Sequence, residues 1–322
     1  MKVIYKKAKI YRRDRRGFPL LALLFFFLFP YIVSNFSGIG KQKLEIEPVA
    51  GEIRVWQRKF WGATSMPLEE YLEGMLAATI PVEYHLETLK AQAVILRTAC
   101  MRKLEKKDGE KIIWDDDIKE LYLTSKECEQ LWKNDTEKNK KKIKQAVMDT
   151  KGMFVVWEEN IPELPFTRIT NGQTRDIMEY VVHTENYDYM KKVSCPEDIW
   201  AENSTQYIEI TLKEFQKIIR KLLNKKKIAL DKIILYRDQA EYVKEVEIGE
   251  GFVEGEIFRE ALGLASSCFY LEKLEDKIQI QTKGMGHGFG FSQYSAEKLA
   301  QEGKDYLYLL NYFFQNITLE KQ

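Results

Sequence analysis

Gly284-Met285-Gly286-His287-Gly288-Phe289-Gly290-Phe291-Ser292-Gln293 sets four glycines in seven positions around one of only three histidines. Glycine takes positive φ and lets another chain or a ligand come close, so this density marks a place where main chain meets something bulky. The chemistry on offer is recognition. His287 suits a hydrogen-bonding tether or a ligand contact, and Ser292 and Gln293 carry groups suited to hydroxyl and acetamido partners. Both residues serve equally well to cap a helix that begins near Ser295. No second histidine or carboxylate stands at ligand spacing around His287, which argues against a metal site.

A second candidate lies in Leu86-Glu87-Thr88-Leu89-Lys90-Ala91-Gln92-Ala93-Val94, followed by Arg97-Thr98. Helical spacing puts Leu86, Leu89, Ala93 and Leu96 on a buried side and Glu87, Lys90, Ala91 and Val94 along a different one. A glutamate on a rigid helix is suited to giving and taking a proton, and also to complementing the helix dipole from the first turn. The dipole and Lys90 both favour the charged carboxylate, whereas an acid catalyst must hold its proton. Gln92 and Arg97 either line a site or pair internally.

The elements that must position these residues follow from periodicity. Ile53, Val55 and Phe60 alternate as in a half-buried strand, and Leu68, Tyr71, Leu72, Met75 and Leu76 make one helical stripe that Pro81 ends. Residues 101–144 are rich in charge, with five lysines between Lys138 and Lys144, and read as a solvated helical or loop excursion. Strand signals appear at Met153 to Trp157, Ile233 to Tyr236, Tyr242 to Ile248 and Ile278 to Gln281, with a turn cluster at Thr170-Asn171-Gly172-Gln173-Thr174. Phe215 to Leu223, Ser295 to Gln301 and a segment carrying Tyr306, Leu309, Leu310 and Phe313 read as helices. Helices and strands mix without regular alternation, so the fold class is α+β.

The 322 residues carry 50 basic and 49 acidic side chains, interleaved rather than striped, which speaks against a nucleic-acid footprint. Cys100, Cys128, Cys195 and Cys268 lie far apart with no C-x-x-C pair; they read as buried small side chains or as one or two disulfides. A cysteine peptidase pairing Cys195 or Cys268 with His287 lacks a recognisable nucleophile turn. At the N-terminus, eight basic residues precede an apolar run that, with residues 34–36, covers ~28 Å as a helix, near the ~30 Å of a bilayer core. The expected organisation is a basic cytoplasmic tail (1–17), an uncleaved membrane anchor (18–36), a linker (37–45) and an extracytoplasmic domain (46–322). A cleaved signal peptide is the competing reading.

The run Leu86 to Val94, the G-x-G-H-G-x-G-x-S-Q loop, Thr150-Lys151-Gly152 and Leu262-Gly263-Leu264 together resemble the stage II sporulation protein D family, which includes the amidase-enhancer LytB proteins. The resemblance spans most of the chain after the anchor. It implies two lobes framing a glycan cleft, and a peptidoglycan lytic transglycosylase acting on denuded strands in septal wall remodelling during engulfment. Glu87 would be the catalytic residue, acid and then base. Lys90, Gln92, Arg97, Thr174, His287, Ser292 and Gln293 would bind substrate. A cell-wall amidase and a membrane scaffold protein are the implied partners, with no cofactor. Two departures stand out. Family members commonly read A-S-E-M-P where this chain has Ala77-Ala78-Thr79-Ile80-Pro81, which opens the alternative of a catalytically weak or inactive glycan-binding or amidase-enhancer module. The family's zinc cluster is reduced to Cys128, so no structural zinc is expected.

Overall fold

The computed structural model describes residues 2–7, 53–59, 62–105, 111–118, 120–180, 187–225, 228 and 230–322. Along the chain these form β1 (Lys2–Lys7), β2 (Arg54–Lys59), β3 (Gly62–Pro67), α1 (Leu68–Thr79), α2 (Leu86–Glu105), β4 (Ile112–Trp114), α3 (Ser125–Trp132), α4 (Thr136–Asp149), β5 (Met153–Val156) and β6 (Phe166–Thr167). There follow β7 (Thr205–Thr211), α5 (Leu212–Leu222), β8 (Lys232–Arg237), β9 (Val243–Ile248), β10 (Gly251–Glu254), α6 (Gly255–Ala261), β11 (Phe269–Leu274) and β12 (Lys277–Lys283). The chain closes with β13 (Phe291–Ser292), α7 (Gln293–Gln301), α8 (Tyr306–Phe313) and β14 (Thr318–Lys321). The class is α+β, with sheets ordered β3-β2-β4, β1-β8-β9-β10 and β11-β12-β7, and two-stranded pairs β14-β5 and β13-β6.

The stripe on α1 buries Leu68, Tyr71, Leu72, Met75 and Leu76, as its spacing predicts. Helix α2 differs from its one-sided expectation: residues 91–98 and Thr88 and Leu89 are all buried, so it is covered nearly all round. Leu89, Ala93, Leu96 and Cys100 face a first core with Leu72, Met75, Val55 and Ile113. Ala91, Val94 and Ile95 face a second, with Val155, Phe291, Leu309, Leu310 and Phe313. A third core packs α5 and α6 against β8, β9, β11 and β12 through Phe215, Leu235, Phe258, Phe269 and Ile280.

The charge-rich excursion is only partly solvated. Ile143, Ala146 and Val147 of α4 enter the first core, and Lys142 Nζ donates to the carbonyls of Val82, Glu83 and Tyr84 at 2.9, 3.2 and 2.6 Å. That ammonium fastens the loop between α1 and α2, and burial lowers its pKa. Lysine runs read as solvated because sequence does not disclose which carbonyls will meet them. All four cysteines are buried free thiols.

Among the described residues no helix is long and apolar enough to cross a membrane; the anchor expected at 18–36, the linker at 37–45 and Phe60 lie outside them. Strand β1 runs parallel to β8, from Lys2↔Lys232 to Lys7↔Arg237. This pairing and a single membrane pass between residues 18 and 36 exclude each other, because the pass would put residues 2–7 and β8 on opposite sides.

Arg97 is the largest polar group inside, at 1% exposure. It donates through Nε and Nη2 to the two Glu69 oxygens at 3.0 and 2.6 Å, and to the carbonyls of Met153 and Val147 at 3.1 and 3.2 Å. Arg97→Met leaves Glu69 and two carbonyls without donors and is expected to cost about 3 kcal/mol in urea denaturation. Arg102→Met, at a pair with Glu163 that is open to water, is expected to cost less than about 1 kcal/mol.

Candidate functional site

After β12 the chain enters the glycine loop, where Gly284, Gly286, Gly288 and Gly290 all have positive φ, from +69° to +113°. Two of them show why no side chain is tolerated. A Cβ on Gly288 would lie 2.3 Å from the Tyr242 ring, and one on Gly290 would lie 2.1 Å from the Pro165 carbonyl oxygen. The loop is pinned to the segment after β6, with Ile169 and Met285 exchanging backbone bonds and Thr167 Oγ1 donating to the Met285 carbonyl. The bulky partner inferred from sequence is therefore the protein's own backbone and Tyr242.

His287 sits inside this packing. Its Nδ1 accepts from the Phe289 amide at 3.1 Å, which leaves the proton of the neutral ring on Nε2. Its carbonyl accepts from Arg175 Nη1 at 3.0 Å. Arg175 is buried against Asp238, Nε to Oδ2 at 2.7 Å, with the rings of Tyr180, Phe289 and Tyr242 at 4.3, 4.4 and 4.9 Å. Burial pulls the His287 pKa down to about 4, against the opposing pull of Glu256. The imidazole is neutral at neutral pH and holds the loop together.

Past the loop, Ser292 caps α7 by accepting from the Ser295 amide at 3.4 Å, and donates its own proton to Asp198 Oδ2 at 2.7 Å. Asp198 lies in the turn Pro196–Trp200, is fully buried, and also accepts from the Thr170 amide and from Ser295 Oγ, both at 2.6 Å. Burial raises its pKa even so. One carboxylate thus joins the glycine loop, the Thr170–Thr174 turn and α7. Thr174 is buried in that turn, with Oγ1 accepting from the Val193 amide at 2.8 Å. Sequence reasoning missed Asp198; the only signal was a Pro-x-Asp turn start, common to many loops.

The remaining expected site residues lie on different faces of α2. Thr88 and Gln92, four residues apart, face α7. Thr88 Oγ1 donates to Glu297 Oε2 at 2.9 Å, an oxygen that also accepts from the His85 amide at 2.6 Å. Gln293 Nε2 donates to Gln92 Oε1 at 3.2 Å and to the Thr79 carbonyl at 2.9 Å, tying α7 to the end of α1. Glu87 points elsewhere. Its Oε1 accepts from Lys90 Nζ at 2.8 Å and its Oε2 from the Tyr306 amide at 3.0 Å, so it caps α8, while Lys90 also reaches Asp149 at 3.1 Å. Arg97 is committed to Glu69.

Gln92, Gln293 and Thr79 are therefore brought together, Ser292 and Thr174 flank them through Asp198 and the turn, and Glu87, Lys90, Arg97 and His287 serve separate networks. The exposed surface over the first group carries Thr79, Tyr84, Arg168 and Tyr294, three of which the sequence reading did not single out. Tyr294 donates its amide to the Arg168 carbonyl at 3.1 Å, and burial pushes the Tyr84 hydroxyl up to about 12 against the pull of Arg168. Thr79 Oγ1 turns back to the Met75 carbonyl at 2.8 Å. Tyrosines, an arginine and a hydroxyl can bind a polyhydroxylated ligand but hold no proton for acid catalysis near neutral pH. Among the described residues no three of His, Cys, Asp and Glu converge as metal ligands.

Two outcomes follow. Asp198→Ala strands three donors and is expected to lower stability by about 3 kcal/mol in chemical denaturation, well beyond a surface Asp→Ala change. For His287, the folded pKa of about 4 lies below the usual 6.5, so the unfolded chain binds more protons between those values. Stability therefore rises with pH across that window and falls on acidification, and His287→Asn flattens the slope there.

Known proteins can be set beside this geometry. Residues 57–157, from β2 to just past β5, match the SpoIID family model, described as Stage II sporulation protein. The chain is similar to Stage II sporulation protein D of Bacillus amyloliquefaciens, 29% identical over 287 residues covering 86% of this chain and 80% of that protein. It is similar also to Stage II sporulation protein D of Bacillus subtilis (strain 168), 29% identical over 290 residues covering 88% and 82%. The matched segment contains α1, α2 and Thr79, and the longer similarities take in most of the remaining chain; the chain belongs to the SpoIID family.

Proposed function

We propose that this protein acts on peptidoglycan glycan strands in the septal wall remodelling of sporulation, as a strand-binding member of its family whose lytic chemistry is weak or absent. Family membership supports the sporulation role. The observation that carries the binding reading is the commitment of every carboxylate near Gln92 and Gln293. Glu297 accepts from His85, Thr88 and Gln301, Asp198 is sealed from water, and the position of the family's second glutamate is Thr79. Transglycosylation needs one carboxyl that protonates the leaving oxygen and then takes the proton from the sugar's 6-hydroxyl, forming the 1,6-anhydro end. The surface of Thr79, Tyr84, Arg168 and Tyr294 offers hydrogen bonds and rings instead, along a groove that would hold the strand.

The second reading, a lytic transglycosylase using Glu87, rests on the match of Glu87 to a family glutamate and on its partial exposure, 21% of the side chain, on a rigid helix. Both readings share the setting implied by the family. Residues 18–36 anchor the chain with the tail inside and the domain outside, an arrangement in which β1 leaves β8, and the protein works beside a cell-wall amidase and a membrane scaffold protein.

The test is incubation of the full chain and its Glu87→Gln variant with denuded glycan strands, followed by sedimentation and mass spectrometry. Both proteins are expected to co-sediment with strands that remain uncut. Products ending in 1,6-anhydro-muramic acid that vanish in Glu87→Gln would replace this reading with the second.

A further inference from the structure

The antiparallel sheet β11-β12-β7 has two unlike faces. Leu271, Ile280 and Ile208 lie in one row and Ile278 and Ile210 in another, most of them turned into the third core. The opposite face carries Tyr270, Gln281 and Tyr207 in one row, and Glu272, Gln279 and Glu209 in the next. Over these rows lies a concave space of about 420 Å³ lined by Tyr207, Tyr270, Glu272, Gln279 and Gln281. That volume is within the range of small-ligand sites.

We propose that this face is a second glycan-binding site, which takes a neutral N-acetylated saccharide chain; the choice of ligand rests on the proposed function above. Tyr207 is 60% exposed, an unusual position for a large ring, and its hydroxyl accepts from Gln281 Nε2 at 2.7 Å, which fixes it at the rim. Tyr270, two strands away at ~10 Å, is braced by the Arg237 guanidinium 4.3 Å from its ring centre. Two rings at that spacing suit the apolar faces of sugars one disaccharide apart. Between them Gln279 and Glu272 supply amide and carboxylate groups for hydroxyl and acetamido partners.

Charge selects the occupant. Glu272 and Glu209 on the same face repel a polyanion such as nucleic acid, and the polar centre of both rows leaves no continuous apolar area for a protein core. The sheet also leads to the candidate site, since β12 runs into the glycine loop and the Gly284 amide donates to the Ser204 carbonyl just before β7 at 2.6 Å. A bound strand has a rigid path from one place to the other.

The test is calorimetric titration of the full chain with an N-acetylglucosamine hexasaccharide, comparing wild type with Tyr207→Ala and Gln279→Ala, both solvent-facing changes. Each variant is expected to bind about tenfold more weakly while melting as wild type does. Wild-type binding that both variants retain unchanged would overturn the second site and leave the proposed function standing. A wild type that binds no saccharide would overturn both, and a dimer in sedimentation that Tyr207→Ala dissolves would assign the face to self-association instead.

Discussion

Helix α2 lies between two apolar cores, so each polar side chain along it has lost water and needs a partner from elsewhere in the chain. Thr88 finds Glu297 on α7, Gln92 finds Gln293, Arg97 finds Glu69 on α1, and the Thr98 hydroxyl bridges the Val94 carbonyl and the Val155 amide. These partners are 28 to 209 residues away in sequence. Through them one buried helix fixes the positions of α1, β5 and α7, and with them the surface that carries Thr79, Tyr84 and Tyr294.

The glycine loop answers a similar demand by a different route. Its main chain passes so close to Tyr242, Thr167 and Pro165 that side chains are excluded, and the packed loop is then tied by His287, Arg175 and Asp198. Neutral His287 and buried Asp198 each serve as a clamp. The groups most suggestive of catalysis in the sequence are thus spent on holding the site's walls, and the exposed groups are those of recognition. A chain that keeps its family's scaffold while a threonine occupies a carboxylate position retains the means to bind a polymer more readily than the means to cut it.

Much of the fold was legible in the sequence because period reports burial directly. The stripe on α1, strands β8, β9 and β12 and helices α5 and α8 stand where alternation or helical spacing puts them. Glu87 illustrates the limit. Its place in the first turn of a helix was readable, but whether its carboxylate meets a ligand or the amide of Tyr306 depends on how α8 folds back, a contact across 219 residues. Lys142 is a second case, solvated by composition and yet buried over three carbonyls of another loop.

The sequence by itself determined the α+β class, the family, the glycine loop and the Gln92 and Gln293 pair as features worth locating. These follow from local chain geometry and from motif spacing, both of which are properties of short segments. Only the tertiary structure decided that α2 is buried on two sides, that Asp198 joins three segments, and that Glu87 and the glycine loop engage different faces of the same helix. Such facts depend on which distant donors reach a buried acceptor, and no short segment encodes its partner's position.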